Sequence, residues 1–176
     1  MRDVTFETER LLLRSLEPDD ASEQYRSWFN PEIAAMGVRT ARRQPSIEEL
    51  RTFIAERLDR DDVLFLGIFD KAGSSHIGNI KYEPIDSQRA FAVMGILLGE
   101  KAWWGKGVAA EVLFPTARWV RQRYGVREIA LGVMKDNALA RRGYEKVGFR
   151  VEPSQHITID PTRHESMVWH LDEVTP

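Results

Sequence analysis

Trp103-Trp104-Gly105-Lys106-Gly107-Val108-Ala109-Ala110-Glu111 is the stretch on which the fold turns. It follows a strand-like run, Ala90 to Gly99. It opens a helical pattern from about Gly107 to Arg123, with Val112, Leu113, Ala117, Val120 and Tyr124 on one apolar face. Small residues let a ligand approach the backbone. The first-turn N–H groups of a helix have no intrahelical acceptor, and the helix dipole adds partial positive charge there. A strand–glycine–helix junction of this kind suits a phosphate group.

Spacing separates the phosphate loops that fit. A Walker loop requires glycine where Glu100 stands and Ser or Thr where Gly107 stands. A dinucleotide fingerprint matches Gly105 to Ala110, with Glu128 near the ribose-acid distance. That fingerprint should open a long doubly wound sheet, yet the strands before it are linked as antiparallel neighbours and little chain follows. A plain glycine-rich helix start is the remaining alternative.

The surrounding pattern is mixed α and β. Leu11 to Arg14 reads as a short buried strand. Pro18, Asp19 and Asp20 suit a first helical turn, and Ala21, Tyr25, Trp28 and Phe29 continue at helical spacing until Asn30-Pro31 stops them. Ser46 and Glu49 form a capping box before the stripe Ile47, Leu50, Ile54 and Leu58. Val63 to Phe69 is a continuous apolar strand, Asp70 to Ser75 a hairpin turn, and His76 to Ile85 the returning strand. Short links up to Gly99 favour antiparallel neighbours. Arg127 to Val133 reads as a strand, Ala138 to Val147 as a helix, and the tail supplies one or two further strands, including Met167 to Trp169. Strand–helix–strand in the second half implies one parallel crossover. The class is α+β, or α/β in looser usage: a mixed, mostly antiparallel sheet of six to seven strands flanked by helices. Pro115 falls inside the main helix, where it should remove a hydrogen bond to Glu111 and bend the axis.

Composition narrows the class further. The chain has 176 residues and no cysteine, which excludes disulfides, thiolate metal sites and a cysteine nucleophile. Lys+Arg is 25 and Asp+Glu 27, without the basic excess of a general nucleic-acid binder. No apolar stretch is long enough to span a bilayer, and the N-terminus lacks a signal-peptide core. A single domain over residues 1–176 is expected, in the cytoplasm, without metal, nucleic acid or membrane partners.

Trp104-Gly105-Lys106-Gly107-Val108-Ala109 resembles the pyrophosphate loop of the GNAT N-acetyltransferases, [QR]-x-x-G-x-[GA], except that Trp104 replaces Gln or Arg. In the branch related to ribosomal-protein acetyltransferases a Tyr-Trp-Gly-Lys-Gly run is typical. Thr8 to Arg14, Tyr25 to Glu32, Ile77 to Ile80, Gly95 to Lys101, and Asp136-Asn137 followed by Tyr144 to Phe149 also resemble segments of that branch, in order. Gly95 to Lys101 and Ile77 to Lys81 are similar to the nucleotide-amino-sugar acetyltransferases as well.

The resemblance implies acetyl-CoA bound where two parallel strands splay at the centre of the sheet, here Ala92–Gly99 and Arg127–Val133. It assigns Leu97, Leu98 and Gly99 to the pantetheine arm, and Trp104, Gly105, Lys106, Gly107, Val108 and Ala109 to the pyrophosphate. Lys106 adds charge or is simply solvated. Asn137 fits the pantetheine-contacting asparagine and equally fits a helix N-cap. Asn137, Arg141 and Tyr144 share one helix face, which would look toward the thioester. Tyr144 is the candidate acid for the leaving thiolate, or else a packed aromatic. The glutamate the family carries before its strand glycine is absent, since Val93-Met94 stands there. Glu83 is the replacement base, with His76 as a weaker candidate.

Without cysteine, an acyl-cysteine route is closed, and direct transfer from acetyl-CoA to a primary amine in a ternary complex is expected. The acceptor expected is a small molecule such as an amino-sugar, with Arg39, Arg42 and Arg43 available for an anionic group. A protein N-terminus is the alternative, and a non-catalytic acetyl-CoA-binding module a further one. Tyr25, Trp28, Phe29 and Trp103 either line the acceptor surface or belong to the core. Homodimerisation is left open.

Overall fold

A computed structural model describes residues 4–35 and 43–171. The contacts of the chain form two compact units, Met1–Lys81 with Ile96–Trp104, and Tyr82–Gly95 with Gly105–Pro176. Strands β4 (His76–Asp86) and β5 (Phe91–Leu98) contribute residues to both.

In the first unit the hydrogen-bonded strand order is β1 (Thr5–Glu7), β2 (Leu11–Ser15), β3 (Leu64–Asp70), β4 and β5. β1 and β2 pair antiparallel from Thr5↔Arg14, and β2 and β3 from Leu11↔Asp70 to Ser15↔Leu66. β3 is buried at Leu64, Leu66, Gly67, Ile68 and Phe69, so its unbroken apolar run reflects cover on both faces. The β3–β4 turn is closed by Asp70, whose carboxylate accepts from the Ala72 and Gly73 N–H groups at 3.1 and 3.2 Å.

The helices of this unit depart from the expected single run after Pro18. Pro18–Asp20 is a 3-10 turn, Ala21 is extended, and α1 (Glu23–Ser27) starts afresh from a Ser22 cap that accepts from Tyr25 N at 3.2 Å. The reason is Asp20. Its carboxylate takes a bidentate pair from Arg14 on β2, at 2.7 and 2.6 Å, and the Glu17 N–H at 2.7 Å. α1 ends at Ser27 with Trp28 as its cap, short of the expected stop at Asn30-Pro31, and that pair instead opens α2 (Pro31–Ala35). Asn30 Oδ1 accepts from Glu32 N and Ile33 N, and proline at the first helical position loses no hydrogen bond. α3 (Ile47–Leu58) begins at the expected capping box, with Leu50 and Ile54 buried.

In the second unit the order is β4, β5, β6 (Glu128–Met134), β8 (His164–His170) and β7 (Arg150–Val151). β5 and β6 are parallel, joined through α4 (Val108–Tyr124), while β6 and β8 pair antiparallel from Glu128↔His170 to Met134↔His164. α4 packs against α5 (Ala138–Val147). α4 begins at Gly107 and ends at Gly125, both left-handed, with the Gly125 N–H returning to Arg121 O. Pro115 lies within α4, and one residue on the Thr116 hydroxyl donates to the Val112 carbonyl at 2.7 Å.

The mixed, mostly antiparallel sheet with one parallel pair agrees with the sequence reading. The strands number eight among the described residues, the addition being the three-residue β1.

Candidate active site

The parallel pair is short. Phe91, Ala92 and Val93 of β5 register with Glu128, Ile129 and Ala130 of β6. The ladder ends there, although β5 continues to Leu98 and β6 to Met134. Beyond Ala130, β6 keeps its pairing with β8 as far as Met134↔His164. From Met94 and Leu131 onward, therefore, the two strands run outside their common ladder.

In the first unit, the segment that leaves β5 is bonded internally. The Gly99 and Glu100 N–H groups both donate to the Ile77 carbonyl, at 3.0 and 3.2 Å. The Trp104 indole N–H donates to the Leu98 carbonyl at 2.8 Å. Glu100 Oε1 accepts from Trp28 Nε1 at 2.9 Å and from Gln24 Nε2 at 3.1 Å. Of the strand groups named for the pantetheine arm, the Leu98 carbonyl and the Gly99 N–H thus already have partners within the chain. A Cβ on Gly78 would stand 2.5 Å from Leu97 O, so β4 and β5 approach here only because residue 78 is glycine.

In the second unit, Gly105 and Gly107 have φ of +70° and +79° and are exposed, as is Lys106. A Cβ on Gly107 would meet nothing within 4 Å. The glycine is there for its backbone conformation, and the space before it is open. Gly107 offers no side-chain cap to α4, and the first intrahelical bond is Glu111 N to Gly107 O at 3.1 Å. The N–H groups of Val108, Ala109 and Ala110 precede that bond and point out of the helix start. Leu139, at the head of α5, lies 3.9 Å from where a Cβ on Gly105 would be.

α5 carries the other named residues of this unit. Asn137 caps the helix, its Oδ1 accepting from Ala140 N at 3.1 Å. Arg141 is engaged by two carboxylates, Nε with Glu145 at 3.0 Å and Nη1 with Glu165 of β8 at 3.2 Å. Tyr144 is 8% exposed, with its ring 5.7 Å from that of Phe149, which in turn lies 5.5 Å from Trp169. Burial pushes the phenol well above its ordinary pKa of 10.0. Glu83 is half-buried on β4, one residue from buried Tyr82 and so on the other face of the strand.

The remaining expectations divide. His76 is buried in the first unit, stacked on Phe69 with centroids 4.7 Å apart, and burial holds its pKa below 6.5. Its Nε2 faces the Gly78 carbonyl at 3.0 Å and Asn79 Oδ1 at 2.8 Å, two acceptors, which assigns the proton to that nitrogen. Tyr25, Trp28 and Phe29 belong to the core of the unit, and Trp103 is half-buried beside the Arg10 guanidinium. Arg39 and Arg42 lie outside the described residues. Arg43 is exposed and held bidentate by Glu49, at 3.1 and 2.7 Å.

An open cavity of about 360 Å³ on α3 is lined by Ser46, Glu48, Glu49, Thr52, Phe53 and Glu56, none of them a candidate site residue from the sequence. Among the described residues no group of three His, Asp or Glu is placed to hold a metal. Among the described residues no helix is long and apolar enough to cross a membrane. The contacts that sequence reasoning missed, Trp104 to Leu98, Glu100 to Trp28 and Gln24, and Arg141 to Glu165, all join residues whose proximity depends on the folded chain.

The family model described as an acetyltransferase (GNAT) domain matches residues 10–150. Comparison with curated protein sequences gives no match. Among solved structures, spermidine N-acetyltransferase from Vibrio cholerae, in complex with CoA and spermine, superposes with TM-score 0.77 at 20% identity, covering 93% of this chain and 97% of that one. The ribosomal L7/L12 α-N-protein acetyltransferase in complex with coenzyme A gives TM-score 0.80 at 15% identity, covering 96% and 99%. Ribosomal-protein-S5-alanine acetyltransferase from Vibrio fischeri gives 0.78 at 18%, covering 99% and 100%. At these identities the likeness is one of fold.

Proposed function

This chain belongs to the GNAT acetyltransferase family, its model matching residues 10–150, and we propose that it moves the acetyl group of acetyl-CoA directly to the primary amine of a small molecule such as an amino-sugar. The observation that carries the reading is the junction at Gly105–Ala109. Two left-handed glycines open α4 with exposed backbone, no side-chain cap and clear space in front. The first-turn N–H groups and the helix dipole suit the cofactor pyrophosphate. The early end of the β5–β6 ladder leaves strand edge for the pantetheine arm.

The chemistry follows from ordinary acid–base values. The acceptor nitrogen attacks the acetyl carbonyl as the neutral amine, so it must shed a proton from an ammonium of pKa near 10. Glu83 is the proposed receiver of that proton, directly or through water. The new C–N bond forms as the C–S bond breaks, and the thiolate of coenzyme A takes up a proton. Tyr144, whose phenol carries its proton at neutral pH, is the proposed donor. Because a thiol of pKa around 8.5 leaves readily, the help required is modest. Asn137 caps the helix that carries Tyr144, and Arg141 on the same helix pairs with Glu145 and Glu165.

A protein N-terminus is the second acceptor reading, carried by the resemblance of Thr8 to Arg14 to the opening strand of the ribosomal-type enzymes. Thiol release from acetyl-CoA, measured over a panel of amino-sugars, polyamines, other amines and N-terminal peptides, decides between them. Turnover with a small amine is the expected result. Turnover with peptides alone supports the second reading. Coenzyme A binding without turnover on any acceptor would make the chain a binding module, and no binding would overturn the proposal.

A further inference from the structure

Trp104 occupies the position where the family pattern has Gln or Arg, and its side chain reaches back to β5. The indole N–H lies 2.8 Å from the carbonyl of Leu98, the last residue of that strand. Between the two, four backbone N–H groups are bonded within the chain. Gly99 N and Glu100 N bond Ile77 O, Trp103 N bonds Glu100 O, and Trp104 N bonds Lys101 O. Glu100 is itself held by Trp28 and Gln24. The Trp104 ring is half-buried and packs on the core cluster of Tyr25, Trp28 and Phe29. An indole has a single donor and no acceptor, so a ring held in this way aims its N–H in one direction.

We propose that Trp104 is a positioning residue for acetyl-CoA: by bonding the Leu98 carbonyl it sets the turn that carries the chain from β5 directly into Gly105. This inference rests on the acetyl-CoA reading of the Gly105–Ala109 loop. The bond closes the segment from Leu98 to Trp104 from its two ends, so the residue covalently joined to Gly105 keeps one place and direction. Binding the cofactor then requires less ordering of the loop. Removing the donor while keeping an aromatic ring should weaken cofactor binding and leave the chemical step nearly unchanged.

The test measures coenzyme A affinity by titration calorimetry, KM and kcat for acetyl-CoA, and thermal midpoint, on the full chain and on Trp104→Phe, Trp104→His and Trp103→Phe. Loss of one neutral hydrogen bond corresponds to a factor of about five to ten. The expected result is a rise of that size in Kd and KM for Trp104→Phe, with kcat near the original. Trp104→His, which retains a ring N–H, should fall between, and Trp103→Phe should keep the original Kd for coenzyme A. An unchanged Kd in Trp104→Phe, whether or not its thermal midpoint drops, overturns the inference. So does an equal rise in Trp103→Phe, which would mark general loss of aromatic packing. Failure of the unaltered chain to bind coenzyme A overturns instead the reading on which the inference rests.

Discussion

The hydroxyls of Tyr82 on β4 and Thr116 on α4 lie 2.8 Å apart, both fully buried. Thr116 donates its own proton to the Val112 carbonyl at 2.7 Å, so the phenol is the donor between the two. The bond sits one residue beyond Pro115, whose missing N–H interrupts the α4 ladder. Removing either partner should cost stability, but unequally. Tyr82→Phe leaves Thr116 its bond to Val112 and should cost about 1 kcal/mol. Thr116→Val strands a buried phenol with no acceptor and should cost about 1–3 kcal/mol. Urea unfolding midpoints of the two variants check the order, and a larger loss in Tyr82→Phe would refute it.

The glycines of the site region are there for different reasons, and substitution by alanine separates them. At Gly78 the added Cβ would stand 2.5 Å from Leu97 O, a backbone atom that cannot move aside without opening β4 from β5. At Gly107 it meets nothing, and only the φ of +79° opposes it. Gly107→Ala should therefore cost about 1–2 kcal/mol, the usual left-handed penalty. It should still fold, with weaker coenzyme A binding as the helix start is displaced. Gly78→Ala should be the more destabilised of the two in thermal melts. Equal midpoints would show that the strands yield at Leu97.

What the sequence disclosed and what it concealed follow from the range of the interactions. α3 was legible because its start is written locally, Ser46 and Glu49 closing a box over one turn. α5 was legible as Ala138 to Val147 with Asn137 fitting its N-cap, and the β5–α4 junction through its glycines. The break between Pro18 and Ser22 was not. It depends on Arg14, brought from β2 to grip Asp20, and no periodicity in the helix itself records that demand. Arg141 read as a residue of the cofactor face, yet the β6–β8 register carries Glu165 to it from β8. Trp28 read equally as core or as acceptor surface, because an aromatic at helical spacing serves both. Its burial, with its indole on Glu100, settles it as core.

Acid should expose His76. Burial lowers its pKa below 6.5, against the opposing pull of Asn79, Asp20 and the Gly78 carbonyl. The folded chain thus holds this proton less tightly than the unfolded one, and stability from the neutral ring is complete above 6.5 and lost as pH falls toward the folded value. Asp20 is lowered too, the Arg14 and Glu17 hydrogen bonds outweighing its burial, but its contribution disappears only below 3.8. Between about pH 7.5 and about pH 5, His76 is therefore the one of the pair that titrates. Unfolding free energy should fall over that interval, and fall less in His76→Gln. The same slope in both proteins would assign the pH dependence elsewhere.

Tyr144 gives the sharpest test of the chemical step. Its ring is nearly enclosed against Phe149, and burial raises its pKa from 10.0, so at working pH the phenol is protonated and is placed to act as a donor, not as a base. Phe fills the same volume and keeps the contact with Phe149, so Tyr144→Phe should melt where the original chain melts and bind coenzyme A equally well. Loss of the acid should lower kcat by on the order of a hundredfold, the lower end for general acid catalysis, because a thiolate is already a good leaving group. A proton donor that acts on sulfur also predicts a substrate dependence. An acyl donor with a more acidic thiol should recover most of the lost rate in Tyr144→Phe, since its leaving group needs less help. A variant with full kcat would return Tyr144 to the aromatic packing of Phe149 and Trp169. One with a low kcat that the better leaving group fails to raise would assign its hydroxyl to orienting the thioester instead of protonating it.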